Sequence, residues 1–125
     1  MTEAARVVEA AGLAKAYRRY TAGGEETIRV LEDAALAVDA GERVAVQGDS
    51  GVGKTTLRNI LGGLDRPDGG TMRHLGAPIP ADPAGRARWR RTEVGFIFQF
   101  HGLLGEFTAA ENVALAGLIA GWPRR

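Results

Sequence analysis

Gly48-Asp49-Ser50-Gly51-Val52-Gly53-Lys54-Thr55 fits the phosphate-binding loop pattern G-x-x-x-x-G-K-S/T without a gap. Glycines at these spacings let successive backbone N–H groups turn inward onto phosphate oxygens. A helix beginning near Gly53 adds the positive end of its dipole. In such a loop Lys54 reaches the β- and γ-phosphates as a mobile point charge, and the Thr55 hydroxyl is placed to ligate Mg²⁺. Ser50 and Thr56 add hydroxyl or backbone donors. The surroundings suit the loop. Residues 43–47 are a short β-branched run, entered through a turn at 40–42. Residues 54–64 place Leu57, Ile60, Leu61 and Leu64 at i, i+3, i+4 and i+7, which predicts a helix. The loop by itself leaves the base, the nucleophile and the biological task open.

Composition narrows the classes. The 125 residues fit one domain, and 45% hydrophobic content supports a core. A formal charge of +1 argues neither for nucleic acid nor for anionic lipid. With no cysteine there are no disulfides, thiolate chemistry or zinc–thiolate sites. His74 and His101 stand apart and form no metal-ligand cluster. Arg86, Arg88, Arg90 and Arg91 around Trp89 make the densest basic cluster, read as a solvated helix face, so no direct nucleic-acid partner is expected. Residues 1–9 lack the apolar stretch of a signal peptide, and the longest apolar run, 113–122, is too short to span a bilayer. These features predict a cytosolic chain that meets a membrane only through a partner.

Along the chain, 6–17 is expected to be a strand, 20–26 a loop around Gly23-Gly24, and 28–38 a second strand. Residues 65–70 form a strong turn cluster before a short strand at 71–75. Asp82-Pro83 signals a helix start ahead of a short helix at 84–91. The apolar run 94–98 reads as a buried strand. Thr108-Ala109-Ala110-Glu111 is a capping-box pattern in front of an apolar helix ending near Gly121, with Pro123 beyond. The sum is an α/β nucleotide-binding fold with a small antiparallel sheet contributed by the early β-rich segment.

The glycine loop, then Val94-Gly95-Phe96-Ile97-Phe98-Gln99, then the helix start at 108–112 together resemble the ATP-binding subunit of ABC transporters. Within that family, Leu61-Gly62-Gly63-Leu64-Asp65 with Pro67 looks like the lipoprotein-releasing (LolD) ATPases. So does Phe98-Gln99-Phe100-His101 with Leu103-Leu104, Phe107-Thr108 and Glu111-Asn112-Val113. The macrolide-export and cell-division ATPases are similar. The likeness runs from about Val8 to about Gly121.

What the resemblance implies is a P-loop NTPase core of an ABC ATPase with an N-terminal antiparallel β subdomain. It would be divided into 6–47 (β subdomain and loop strand), 48–64 (loop and helix), 65–98 (strands and connecting helix) and 99–121 (Q-loop and start of a helical subdomain). It implies ATP and Mg²⁺ as ligands, with Tyr17 stacked on adenine and residues 48–56 around the phosphates. Lys54 and Gln99 become the catalytic candidates, and Thr55 and Gln99 the metal ligands. Two such subunits would pair and dock on transmembrane permease subunits at the inner face of the cell membrane, with 100–107 as a candidate docking surface.

Departures are visible. Asp49 puts a negative charge near the phosphates, Val52 replaces a small or hydroxyl residue, and Gly102 and Gly105 replace the usual His and Pro. The 125 residues contain no Leu-Ser-Gly-Gly-Gln signature, no apolar run ending in Asp-Glu (the Walker B site) and no downstream switch histidine. The chain therefore reads as the N-terminal half of such an ATPase, truncated before those motifs and inactive in hydrolysis on its own. Three rival readings remain at this level. One is a different P-loop enzyme such as a small-molecule kinase, one a non-catalytic fragment that binds nucleotide or docks on a partner, and one a remnant left with uncovered apolar faces.

Overall fold

A computed structural model describes residues 5–51 and 53–123. Val52 of the glycine loop lies outside the described residues. The chain divides into two compact units, Met1–Ile79 and Pro80–Arg125.

The first unit is built on a long hairpin. Strand β1 (Arg6–Thr21) pairs antiparallel with β2 (Gly24–Asp39). The loop expected over 20–26 shrinks to a turn at Ala22 and Gly23, because Thr21 already faces Gly24. Charge complementarity carries the ladder that far. Arg19 lies opposite Glu26 with an ion pair of 2.9 Å, and Arg18 reaches Glu25 at 3.3 Å. Opposite charges across an antiparallel pair each add a few tenths of a kcal/mol, about 0.2–1 at best.

Strand β3 (Gly69–His74) pairs on the other side of β1, and β4 (Ala77–Pro78) pairs with β3. The sheet order is β2-β1-β3-β4. Both ladders of β1 shift register around Gly12, which sits at φ 63. There β3 enters so closely that a Cβ on Gly70 (φ 92) would lie 2.5 Å from the Gly12 carbonyl oxygen. β3 starts two residues earlier than the expected 71–75 and stops at His74, where Leu75 turns into the left-handed region at φ 49.

Helix α1 (Lys54–Leu61) covers the sheet. The core consists of Ala10, Leu13, Leu31 and Ile60, with Ala34, Leu36, Leu57, Leu61 and Met72 packed around it. Fully burying a Leu or Ile is worth about 1.5–3 kcal/mol, so the completely enclosed Leu13 and Ile60 anchor the helix to the sheet. α1 ends three residues before the expected Leu64. Gly63 takes φ 74, its N–H donates to the Ile60 carbonyl at 3.0 Å, and the Leu64 N–H donates to Asn59 at 2.8 Å. This is a Schellman closure, and it stops the helix although the apolar spacing continues.

The strand expected at 43–47 is not laddered. The backbone there is irregular, and Val44 and Val46 are 43% and 48% exposed. A strand flanked by parallel neighbours is held only through them, and among the described residues none pairs with it.

In the second unit, α2 (Pro83–Glu93) starts as expected. Asp82 caps it by accepting from the Gly85 N–H at 2.6 Å, and Pro83 occupies the first turn. α3 (Ala109–Ile119) carries the full capping box. The Thr108 hydroxyl accepts from the Glu111 N–H at 3.2 Å, and the Glu111 carboxylate accepts from the Thr108 N–H at 2.9 Å. The buried strand expected at 94–98 is neither buried nor laddered, and Ile97 is 98% exposed. The cause is the one that holds for 43–47. No described residue from Pro80 to Pro123 is buried.

Candidate functional site

The glycine loop ends on Gly53, which caps α1 in the left-handed region at φ 101 without any side-chain hydrogen bond. The first amides of a helix have no intrahelical acceptor, so here they face outward as donors. Gly53 is required twice over. Its φ disfavours an L side chain, and a Cβ would stand 2.9 Å from the Val30 side chain and 3.0 Å from the Val30 carbonyl oxygen. The loop is thereby pressed against β2. Gly51, at φ 82, turns the chain inward ahead of it.

Lys54 opens α1 and folds back into the loop, its ammonium donating to the carbonyl oxygens of Gly48 and Asp49. The loop closes around a positive charge. Ser50 lies at the exposed turn, Thr55 is exposed on the first helical turn, and Thr56 is half-buried beside it. This brings together residues 48–51 and 53–56, as the motif requires.

Tyr17 is on β1, 40% exposed, opposite Ile28 of β2. Ile28 is two residues from Val30, against which Gly53 rests. The Tyr17 hydroxyl donates to Asp65 at 2.7 Å. Lys15 donates to the other Asp65 oxygen at 3.1 Å and to the Arg66 carbonyl at 2.7 Å, and its ammonium stands 5.2 Å from the Tyr17 ring centroid. Asp68 accepts from the Ala16 N–H at 2.8 Å and lies 3.7 Å from the Lys15 ammonium. In the sequence Asp65 and Asp68 stand in the turn cluster at 65–70, and Asp65 also closes the Leu61–Asp65 stretch that resembles the LolD ATPases, with no chemical role attached to either. Lys15 carries one signal, being with Lys54 one of the two lysines of the chain.

Burial pushes the Asp65 carboxyl up, but hydrogen bonds from Tyr17, the Arg66 N–H and Lys15, with the Lys15 charge, hold it below its ordinary value. Its contribution to stability is therefore complete above pH 3.8, the ordinary value, and is lost as pH falls through the lowered folded value. Asp65→Asn is expected to melt at a lower temperature than the parent chain at neutral pH. That gap should close progressively below pH 3.8 in circular-dichroism melts. A gap that stays constant into acid would show that the charge of Asp65 plays no part.

Gln99 belongs to the second unit, exposed in irregular backbone after the stacked rings of Phe96 and Phe98. Beyond it, Asn112 gathers the 104–108 segment onto α3. Its amide donates to the carbonyls of Leu104, Phe107 and Thr108, and its oxygen accepts from the Leu104 N–H. The His101 ring accepts from the Leu103 N–H at 3.0 Å. This local scaffold presents Phe100, Leu103 and Phe107 to solvent. Arg86 spends part of its guanidinium on the carbonyls of Pro80 and Ala81.

Among the described residues no group of three His, Cys, Asp or Glu is placed to hold a metal ion. Mg²⁺ does not need one, since it keeps several waters and is usually held by one or two protein oxygens together with phosphates. Thr55 carries a hydroxyl on the exposed first turn of α1. Among the described residues no helix is long and apolar enough to cross a membrane.

Residues 31–124 match the sequence profile of the ABC transporter family. The chain is 46% identical to the lipoprotein-releasing system ATP-binding protein LolD of Syntrophotalea carbinolica, covering 99% of this chain and 53% of that protein. It is 48% identical to the LolD protein of Chromohalobacter salexigens, over 91% of this chain and 47% of the relative. It is also 48% identical to the macrolide export ATP-binding/permease protein MacB of Salmonella choleraesuis, over 82% of this chain and 16% of MacB. The chain thus spans about half the length of the LolD relatives it matches. In structure it resembles the dimeric ATP-binding cassette MJ0796 in a post-hydrolysis state bound to ADP and Pi. The TM-score is 0.82 and the identity 34%, covering 90% of this chain and 47% of that one.

Proposed function

The chain belongs to the ABC transporter family, and from that footing we propose that it is the nucleotide-holding half of a transporter's ATP-binding subunit, serving lipoprotein release or a related export. The observation that carries this reading is the loop closed by the Gly48 and Asp49 carbonyls on the Lys54 ammonium, at a helix terminus where Gly53 makes no side-chain cap. Loop amides and Lys54 bind the β- and γ-phosphates of ATP, and Tyr17 stacks on the adenine. Thr55 takes the metal. Mg²⁺, when bound, neutralises charge on the phosphate oxygens. In the whole subunit Gln99 couples the state of the nucleotide to the permease.

Partners follow from the relatives. The cassette MJ0796 is dimeric, and the LolD proteins are ATP-binding parts of a releasing system. The protein accordingly pairs with a second copy and sits at the inner face of the cell membrane through permease subunits. The exposed apolar segment at 100–107 suits such docking. The family match displaces the small-molecule kinase alternative.

Phosphoryl transfer needs a general base and charge stabilisation from several sides, and these 125 residues hold neither the signature nor the Asp-Glu motif. Calorimetric titration of the chain is therefore expected to show Mg-ATP binding that disappears when EDTA removes the metal, with phosphate release near background. Absence of any Mg-ATP affinity would overturn the nucleotide-site reading. Ordinary turnover would overturn the claim that catalysis needs further residues.

A further inference from the structure

We propose that Asp65 is a positioning residue for nucleotide binding, clamping the Tyr17 hydroxyl so that the ring offers one fixed face to the base. The inference rests on the reading of Tyr17 as the adenine platform and adds what aims it. Three observations carry it. The Tyr17 hydroxyl donates to Asp65 at 2.7 Å, which removes the ring's freedom to swing about its Cα–Cβ bond. The Lys15 ammonium stands over the ring, 5.2 Å from its centroid, and Tyr17 remains 40% exposed, with surface left for a planar partner. Asp65 is itself held, by Lys15 at 3.1 Å and by the Arg66 N–H at 2.7 Å, directly after the Schellman closure of α1.

The geometry couples two parts of one ligand. The helix whose first turn faces the phosphates ends, within four residues, on the carboxylate that orients the base platform. Base stacking is indifferent to base identity but depends on a flat ring held at a fixed height and tilt. A platform already held in place loses less rotamer freedom when the ligand arrives. Asp65 thus acts on the base end of the nucleotide, through Tyr17, while the loop holds the phosphate end.

The test separates the two ends. Mg-ATP and Mg-tripolyphosphate, which has no base, are titrated into the chain and into Asp65→Ala and Tyr17→Phe. Both variants are expected to weaken Mg-ATP binding by roughly three- to tenfold and to leave Mg-tripolyphosphate within about twofold. Tyr17→Phe keeps the ring and removes only the clamped hydroxyl, so its agreement with Asp65→Ala identifies the hydrogen bond as the agent. Unchanged tripolyphosphate binding shows that the loop remains folded. Equal weakening of both ligands would overturn the proposal and make Asp65 a support of the helix. Unchanged Mg-ATP binding in either variant would overturn it as well. If the parent chain bound both ligands equally, the adenine platform would fall while the phosphate site stood. If it bound neither, the phosphate site itself would fall.

Discussion

Lys54→Ala is expected to lower Mg-ATP affinity by roughly a hundredfold or more. Two charges about 4 Å apart at an effective dielectric near 20 interact by about 4 kcal/mol, roughly a thousandfold in affinity. Part of that is offset by taking the ammonium out of water. The lysine has a second task, since its ammonium ties the carbonyls of Gly48 and Asp49. Those acceptors drift apart when it is removed, and the inward aim of the neighbouring amides loosens. Lys54→Arg should recover little, because a rigid planar fork replaces a compact point charge. Calorimetry with Mg-ATP reads the effect, and a Lys54→Ala chain within about threefold of the parent would contradict it.

Gly70→Ala should remove the cooperative melt of the first unit. The added Cβ would lie 2.5 Å from the Gly12 carbonyl oxygen, 2.6 Å from its carbon and 2.7 Å from the Ala11 carbonyl oxygen. All three are backbone atoms of the central strand, so no rotamer change relieves the clash. The positive φ of 92 adds strain. Together these cost about 3–5 kcal/mol, large against a domain stability of about 5–15 kcal/mol. The unit can lose little, since among its described residues only Ala10, Leu13, Leu31 and Ile60 are buried apolar ones. Gly24→Ala is the control. Gly24 also has positive φ, 118, but its Cβ would meet nothing within 4 Å, so only the strain should register. Circular-dichroism melts that place Gly70→Ala beside Gly24→Ala would contradict the steric argument.

The loop was legible because its chemistry is local. Eight consecutive residues specify the turns, the charge and the helix start. The Asp82 and Thr108 caps were legible for the same reason, each being settled within three residues. The hairpin was underestimated because Gly23-Gly24 reads as a loop. Its extension depended on Arg18 and Arg19 meeting Glu25 and Glu26, a pairing visible in the sequence once the strands are aligned. Periodicity overran α1 because Leu64 keeps the apolar spacing, while the left-handed turn at Gly63 ends the helix. Residues 43–47 and 94–98 have strand composition, yet composition cannot supply a neighbouring ladder, and the described chain provides none. The Tyr17–Asp65 contact was invisible for another reason. It joins residues 48 apart, and neither type is unusual where it stands.

The unequal interiors of the two units have a calorimetric consequence. The heat-capacity step of unfolding comes from apolar surface passing into water. Among the described residues the buried apolar ones are Ala10, Leu13, Leu31 and Ile60, all of the first unit, while the second is organised by the Asp82 cap, the Thr108–Glu111 box and the four bonds of Asn112. The baseline jump in a scanning experiment therefore belongs almost wholly to the unit carrying the glycine loop, and residues 80–123 loosen beneath it as a gradual slope.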